Sequence, residues 1–278
     1  MIFEAIGTEW NITSSDDLRN VEKKIYQHIK AFDMTYSRFK KNSVINKMTA
    51  KPGKYILPDD AEPLLDYYHK LYKLSDGLVT PLIGRTMEQS GYDAEYSLLA
   101  KEVTSPPTWE DALRYNFPDI EILQPFVMDF GAAGKGYLVD IVGKLLKDEG
   151  IEDFCINAGG DILVSGSMQR VGLENPDNTE QVVGIVDLDD GALCGSAGNR
   201  RRWAGYHHTI NPKTLKSPED IKAIWVQAAT TMLADGLTTA LYFTDPADLH
   251  KHFAFEYAMI KDDGLMASNG FNAEFFNE

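Results

Sequence analysis

Residues 120–164 read IEILQPFVMDFGAAGKGYLVDIVGKLLKDEGIEDFCINAGGDILV. Within this stretch, Ile122 to Phe130 reads as a strand that runs into Gly131. From Gly136 to Leu146 the apolar residues recur at helical spacing, and Gly150 ends the helix. Phe154–Ile156 and Ile162–Val164 read as short strands on either side of a Gly159-Gly160 turn. Strands and helices follow one another here without regular βαβ spacing, which points to the α+β class.

The flanking sequence extends that reading. Residues 2–13 read as a first strand. Ser15-Asp16-Asp17 supplies a helix cap and an acidic first turn, followed by Leu18, Val21, Ile25, Ile29 and Phe32 at helical spacing. A second helix starts near Pro58-Asp59-Asp60, carries Leu64, Leu65, Tyr68, Leu71 and Leu74, and stops at Asp76-Gly77. Residues 85–118 are mixed, and Pro106-Pro107 breaks any element there. Val182–Val186 and Leu193-Cys194 continue the sheet, Thr230 to Phe243 is helical, and Tyr257–Ile260 and Leu265–Ala267 are late strands. Without repeats or a low-complexity linker, residues 1–278 are expected to form one unit. Its architecture would be mixed, largely antiparallel sheets with packed helices, with scope for two pseudo-lobes.

Apolar residues make up 44% of the 278 and charged residues 25%, an ordinary globular composition. The formal net charge is −15. A surface that acidic repels nucleic acid and anionic membranes. Phosphate chemistry would need local help from a metal ion or a few placed cations. Cys155 and Cys194 sit in apolar runs and read as buried, reduced thiols. No apolar run approaches the ~20 residues of a membrane span, and the N-terminus MIFEAIGTEWNI lacks the form of a signal peptide. The chain as given is expected to be cytoplasmic; an extracytoplasmic, lipid-anchored protein is the alternative if an export signal has been removed.

Five segments could carry chemistry. Asp129 to Gly136 (DFGAAGKG) follows a strand and opens a helix, where small residues admit a ligand and free N–H groups favour anions. Lys135 could meet a phosphate there, or the segment is a tight turn with a surface lysine. Asn157 to Asp161 (NAGGD) is a hairpin turn or a close backbone approach to a ligand. In Ala234 to Ala240 (ADGLTTA), Asp235 and Thr239 stand four apart on one helix face. A carboxylate and a hydroxyl so placed suit Mg²⁺, which shares itself with water and substrate phosphates; a solvated Asp beside a Thr bonded to its own helix is the plainer reading. Gly236 costs that helix ~1 kcal/mol relative to Ala, so something is packed close to it. His207-His208 lacks further ligands at zinc spacing. Arg200 to Trp203 (RRRW) is a phosphate contact or charge balance on a sheet edge.

Taken in order, these segments resemble the ApbE family, the FAD:protein FMN transferases. The likeness begins at Gly7-Thr8-Glu9-Trp10 and continues through Ser37-Arg38-Phe39, Ser43, Asn46, Asp76-Gly77 and Gly91-Tyr92. It is densest in DFGAAGKGYLVD (129–140), NAGGD (157–161), HTINPKT (208–214) and ADGLTTA (234–240). The resemblance implies a magnesium ion held by the backbone carbonyl of Ala132 with Asp235 and Thr239. It implies FAD contacts at Ile6, Phe39, Leu78, Val79, Thr80, Asp129, Lys135, Ile210 and Thr238, and catalytic roles for Asp235 and His208. The family often has methionine at Ile6, a hydroxylated aromatic at Phe39, Phe-Asp-Pro at Val79-Thr80-Pro81, an acid at Val44 and aspartate at Asn211. The activity implied is magnesium-dependent cleavage of FAD. FMN would pass to a Thr or Ser hydroxyl of an acceptor flavoprotein subunit, and AMP would be released. FAD hydrolysis to FMN and AMP, or flavin binding without turnover, are the alternatives.

Overall fold

The computed structural model describes residues 1–199 and 202–276. In chain order it contains β1 (Ile2–Ala5), β2 (Thr8–Ser14), α1 (Glu22–Tyr36), α2 (Val44–Thr49), β3 (Gly53–Ile56), α3 (Ala61–Leu74), α4 (Gly84–Ser90), α5 (Trp109–Ala112), β4 (Leu113–Asn116) and β5 (Asp119–Ile122). There follow α6 (Gly134–Asp148), β6 (Phe154–Ala158), β7 (Asp161–Ser165), β8 (Gln169–Asn175), β9 (Asn178–Leu188) and β10 (Gly191–Ala197). The chain continues with β11 (Arg202–Trp203), β12 (Tyr206–His207), β13 (Ile221–Ala228), α7 (Thr231–Ala240), α8 (Pro246–His250), β14 (Glu256–Lys261), β15 (Gly264–Ala267) and β16 (Ala273–Phe275).

The centre is an eight-stranded sheet in the order β1-β2-β6-β7-β10-β13-β14-β15, antiparallel at every pairing. Alternate side chains go to opposite faces. On one face Trp10, Ile12, Ile156, Ala192, Cys194, Ile224 and Val226 join the buried residues of α1, α6 and α7. On the other, Ile162, Val164, Leu193, Ala223, Trp225 and Ala258 pack with Leu173, Val186 and Leu188 of a second, three-stranded sheet ordered β16-β9-β8. A third small sheet, β3-β5-β4, stands apart from these. The α+β expectation holds. Among the described residues, no helix is long and apolar enough to cross a membrane.

Several expected elements change shape. The strand expected over 2–13 is a hairpin that turns at Ile6-Gly7, both in the left-handed region at φ 44° and 78°. A β-branched residue rarely adopts that conformation, so Ile6 conceals the turn. The strand expected over 122–130 stops at Ile122. Pro125 cannot donate to a ladder, and the N–H groups of Phe126 and Asp129 go instead to Thr49 and Pro81 carbonyls. Strand β13 has no counterpart in the expected elements, because both its faces are covered and its sequence lacks polar alternation. Of the two cysteines, Cys194 is buried but Cys155 is partly exposed; both are free thiols.

Helices α6 and α7 meet at Gly136. A methyl group there would overlap the Thr231 carbonyl and approach Asp235 Cβ to 2.8 Å. That closeness lets each helix cap the other. Gly136 N–H donates to Asp235 Oδ2 at 2.9 Å, while Asp140 on α6 accepts from Thr231 N–H and Met232 N–H, both at 2.8 Å. Carboxylates thus satisfy orphan donors at both N-termini, where the helix dipoles also favour them. Gly136→Ala should therefore cost about 1–3 kcal/mol by overpacking. Denaturant unfolding will measure it, and a cost under ~0.5 kcal/mol, ordinary for an uncrowded surface site, would contradict this crossing.

Candidate functional site

The helix-covered face of the sheet opens into one cleft of about 410 Å³, within the usual range for small-molecule sites. It is walled by the end of α1 and the following loop, residues 78–80, α4 and its exit, the 129–132 segment, the first turn of α6, residues 208–210, and Thr239 and Phe243. Ile6, Phe39, Leu78, Val79, Thr80, Asp129, Ala132, Lys135, His208, Ile210 and Thr239 all line it. Sequence positions more than 200 apart are thereby brought to one surface. Thr238 is not drawn into the lining: it is buried, and its hydroxyl donates to Asp235 O at 2.7 Å. Arg200 and Arg201 lie outside the described residues. Arg202 is exposed and faces Glu219 at 3.7 Å, which agrees with charge balance.

Behind the lining sits a buried acidic pair: Asp235 and Asp161, like Thr238, are not themselves among the lining residues. Asp235 lies buried in α7 four residues before Thr239. Burial first, and then the charge of Asp161, hold its carboxyl well above the usual range; Lys135 and the Gly136 N–H offset this only in part. Asp161 is 1% exposed and forms an ion pair with Lys135, whose Nζ also donates to Ala158 O at 3.1 Å. Burial opposes the lysine charge, but Asp161 and Asp235 outweigh it and keep the ammonium above its ordinary value. Beside them, Tyr68 accepts from Ala132 N–H and Ala133 N–H at 3.1 Å each, which fixes the backbone of the Asp129–Gly134 turn. The close neighbour expected at Gly236 is protein: the ring of Tyr67 lies where a side chain would go.

The aromatic wall is held by Arg38. Its side chain is 2% exposed, pairs through Nε with Asp129, and donates to Tyr92 O at 2.8 Å. Its guanidinium lies 4.1 Å from the Phe39 ring centre. Phe39 stacks on Tyr96 at 5.7 Å. Ser43 caps α2, and Asn46 Nδ2 donates to Arg38 O at 2.8 Å and Lys40 O at 3.0 Å, so this pair shapes the loop that carries Arg38 and Phe39.

The two histidines differ. His207 is buried; its Nδ1 accepts from Thr209 N–H at 3.2 Å, leaving Nε2 to donate to Pro218 O at 2.7 Å. Burial pushes it below its ordinary value. His208 faces the cleft with Nε2 at 3.1 Å from Ser196 Oγ. Asn211, where the family resemblance leads one to expect aspartate, uses Oδ1 to accept from Lys213 N–H and Thr214 N–H at 2.9 and 3.0 Å. It shapes its own turn. Tyr68 and Asp140 are residues that sequence reasoning left without roles, and Asp161 was expected only to frame a ligand's approach, not to pair with Lys135. Asp140 and Asp161 stand inside the two densest motifs, which is the signal that could have found them; Tyr68 carries none.

An antiparallel sheet with an aromatic-walled cleft at its helical layer defines an α+β protein with a cavity of small-molecule size. The ApbE family model matches residues 6–259. The chain belongs to the ApbE family. A FAD:protein FMN transferase of Rhodobacter capsulatus is 29% identical over 185 residues, 60% of this chain but 35% of that protein. One from Haemophilus influenzae is 24% identical over 279 residues, 86% of this chain and 78% of that protein. Among solved structures, the flavin transferase ApbE of Vibrio cholerae superposes with TM-score 0.79 at 19% identity, covering 98% of this chain and 97% of that one. The ApbE protein of Thermotoga maritima gives 0.81 at 20% identity, with the same coverage. At such identities these structures establish the common fold.

Two outcomes test the local geometry. Thr80 Oγ1 accepts from Leu82 N–H at 3.2 Å at the start of a short 3₁₀ turn. Aspartate caps such turns at least as well, but Thr80 is buried and a carboxylate there loses hydration, so Thr80→Asp should destabilise by about 0.5–3 kcal/mol, measured by denaturant unfolding. For His207, a lowered value in the folded chain means its contribution to stability is present above about 6.5 and lost as pH falls through the lower folded value. Unfolding free energy should decline below that pH, and His207→Asn, which cannot titrate, should flatten the decline.

Proposed function

We propose that this chain is a magnesium-dependent FAD:protein FMN transferase. One observation carries the reading: the cationic side chains lining the cleft are already committed. Arg38 is paired with Asp129, Lys40 with Asp33 at 3.3 Å, and Lys135 with Asp161. A cleft so neutralised, in a chain of net charge −15, cannot grip a pyrophosphate by protein cations alone. Lys135 pairs with Asp161, and Asp235 is left with a carboxyl that burial and Asp161 hold well above the usual range; a cation there would favour its ionised form. Among the described residues, no three His, Cys, Asp or Glu side chains cluster as a closed metal cage. Mg²⁺ itself takes one or two carboxylates and leaves its remaining positions to water and substrate phosphates.

Asp235, Thr239 and the Ala132 carbonyl are the residues that would hold the ion. When bound, Mg²⁺ offsets charge on the transferring phosphoryl group. The protein's own part is positioning. Phe39 and Tyr96 offer a stacking wall for a ring, and Ile6, Leu78, Val79 and Ile210 exclude water. His208 is set to orient a phosphate oxygen or take the proton of the attacking hydroxyl. In the reaction, a Thr or Ser oxygen of the acceptor bonds the flavin-side phosphorus, the pyrophosphate P–O bond breaks, and AMP leaves with the bridging oxygen.

The assay combines the chain with FAD, Mg²⁺ and an acceptor flavoprotein domain. Covalent flavin fluorescence should migrate with the acceptor after denaturing electrophoresis, AMP should appear in equal amount, and mutating the acceptor threonine to alanine should remove the label. Chelation, or Asp235→Ala, should reduce AMP release by at least ~100-fold, the scale of a lost electrostatic stabiliser, without unfolding the chain. AMP and free FMN without label would give the hydrolase reading its place. FAD retention without AMP would leave only a binding protein.

A further inference from the structure

Lys135 and Asp235 are close enough to act on each other electrostatically, yet they do not pair. The Lys135 ammonium is instead fastened to the β6–β7 turn, by Asp161 and by the Ala158 carbonyl. Asp235 receives the N–H of the next residue, Gly136. The turn is itself braced. Gly160 N–H donates to Asn157 Oδ1 at 3.0 Å, and Gly195 N–H donates to Gly160 O at 3.1 Å. Asp161 is thus a nearly inaccessible carboxylate on a fixed backbone, paired with Lys135 and in side-chain contact with the Asp235 carboxyl.

We infer that Asp161 is a positioning residue for the cation site: it parks the Lys135 ammonium on the β6–β7 turn and so keeps Asp235 available to a divalent ion. This rests on the metal reading above. An ammonium on a flexible stem and a hard divalent cation compete for the same carboxylate. Asp235 is the other carboxylate that acts on Lys135. Once Asp161 loses its charge, the lysine turns to Asp235 and opposes the ion. With both Asp161 and the lysine charge gone, that opposition disappears. The role therefore carries a signature that a packing role lacks: the second substitution repairs the first.

The test titrates Mn²⁺, a probe that accepts the same oxygen ligands as Mg²⁺, into the full chain without FAD, reading free Mn²⁺ by electron paramagnetic resonance. Wild type should bind, and Asp235→Ala should lose the site. Asp161→Asn should weaken binding at least about tenfold, the usual effect of removing a residue that supports a ligand. The double variant Asp161→Asn/Lys135→Met should recover most of that loss, and Lys135→Met alone should bind at least as tightly as wild type. Wild-type affinity in Asp161→Asn, or a double variant no better than the single one, overturns the inference. If circular dichroism shows Asp161→Asn to be unfolded, Lys135→Met decides: weaker Mn²⁺ binding there would mean the lysine assists the cation, and the inference falls. Equal binding by wild type and Asp235→Ala would remove the metal reading and this inference together.

Discussion

The crossing of α6 and α7 at Gly136 is the constraint from which the cleft takes its form. A glycine lets two backbones approach, and the approach puts each helix's carboxylate on the other's exposed N–H groups. The Gly136–Asp235 bond is buried and the Asp140 bonds are partly so; an unpaired group at the buried end would cost more than one bond contributes. The two helices therefore pack as one layer against β6, β7, β10 and β13. Residues 129–135 enter α6 from this crossing and residues 235–239 leave it along α7, so the ligand-facing ends of both segments are set by a single contact.

The same crossing creates the electrostatic problem behind the cleft. Asp235 caps a helix at a depth where ionisation is opposed by burial and by Asp161. A purely structural cap would be better served by a neutral side chain. Under the magnesium-dependent activity proposed above, a carboxylate here has a reason, since a bound ion would reverse the local preference. The aromatic wall follows a different logic. Arg38 is a fork with one arm on Asp129 and another on the Tyr92 carbonyl, its face against Phe39. It ties together three segments that share no strand or helix.

Much of this was legible in the sequence where local rules act alone. The spacing of Leu64, Leu65, Tyr68 and Leu71 marks α3, and Gly159-Gly160 marks the β6–β7 turn. The segment DFGAAGKG announces a strand-to-helix connection with room for a ligand, although its strand is an irregular crossing fastened to Thr49 and Pro81. Asp235 and Thr239 declare a shared helix face by their interval alone, but Thr238 turns its hydroxyl back into the helix. What stayed hidden depends on distant partners. Strand β13 looks featureless because two layers bury it. Ile6 hides a turn because the residue type argues against one. The pairing of Asp161 with Lys135 joins residues that only the folded sheet brings together.

Cys194 gives the molecule a built-in reporter. Its thiol lies buried beneath the first turn of α7, 3.6 Å from the Thr231 carbonyl, and burial raises it well above the ordinary thiol range. A thiol-modifying reagent can reach it only when α7 lifts from the sheet, whereas the partly exposed Cys155 needs no such opening. The slower of two alkylation rates is therefore a clock for the separation of α7 from β10. It makes the opening of the layer behind the cleft readable by mass spectrometry, with no residue changed.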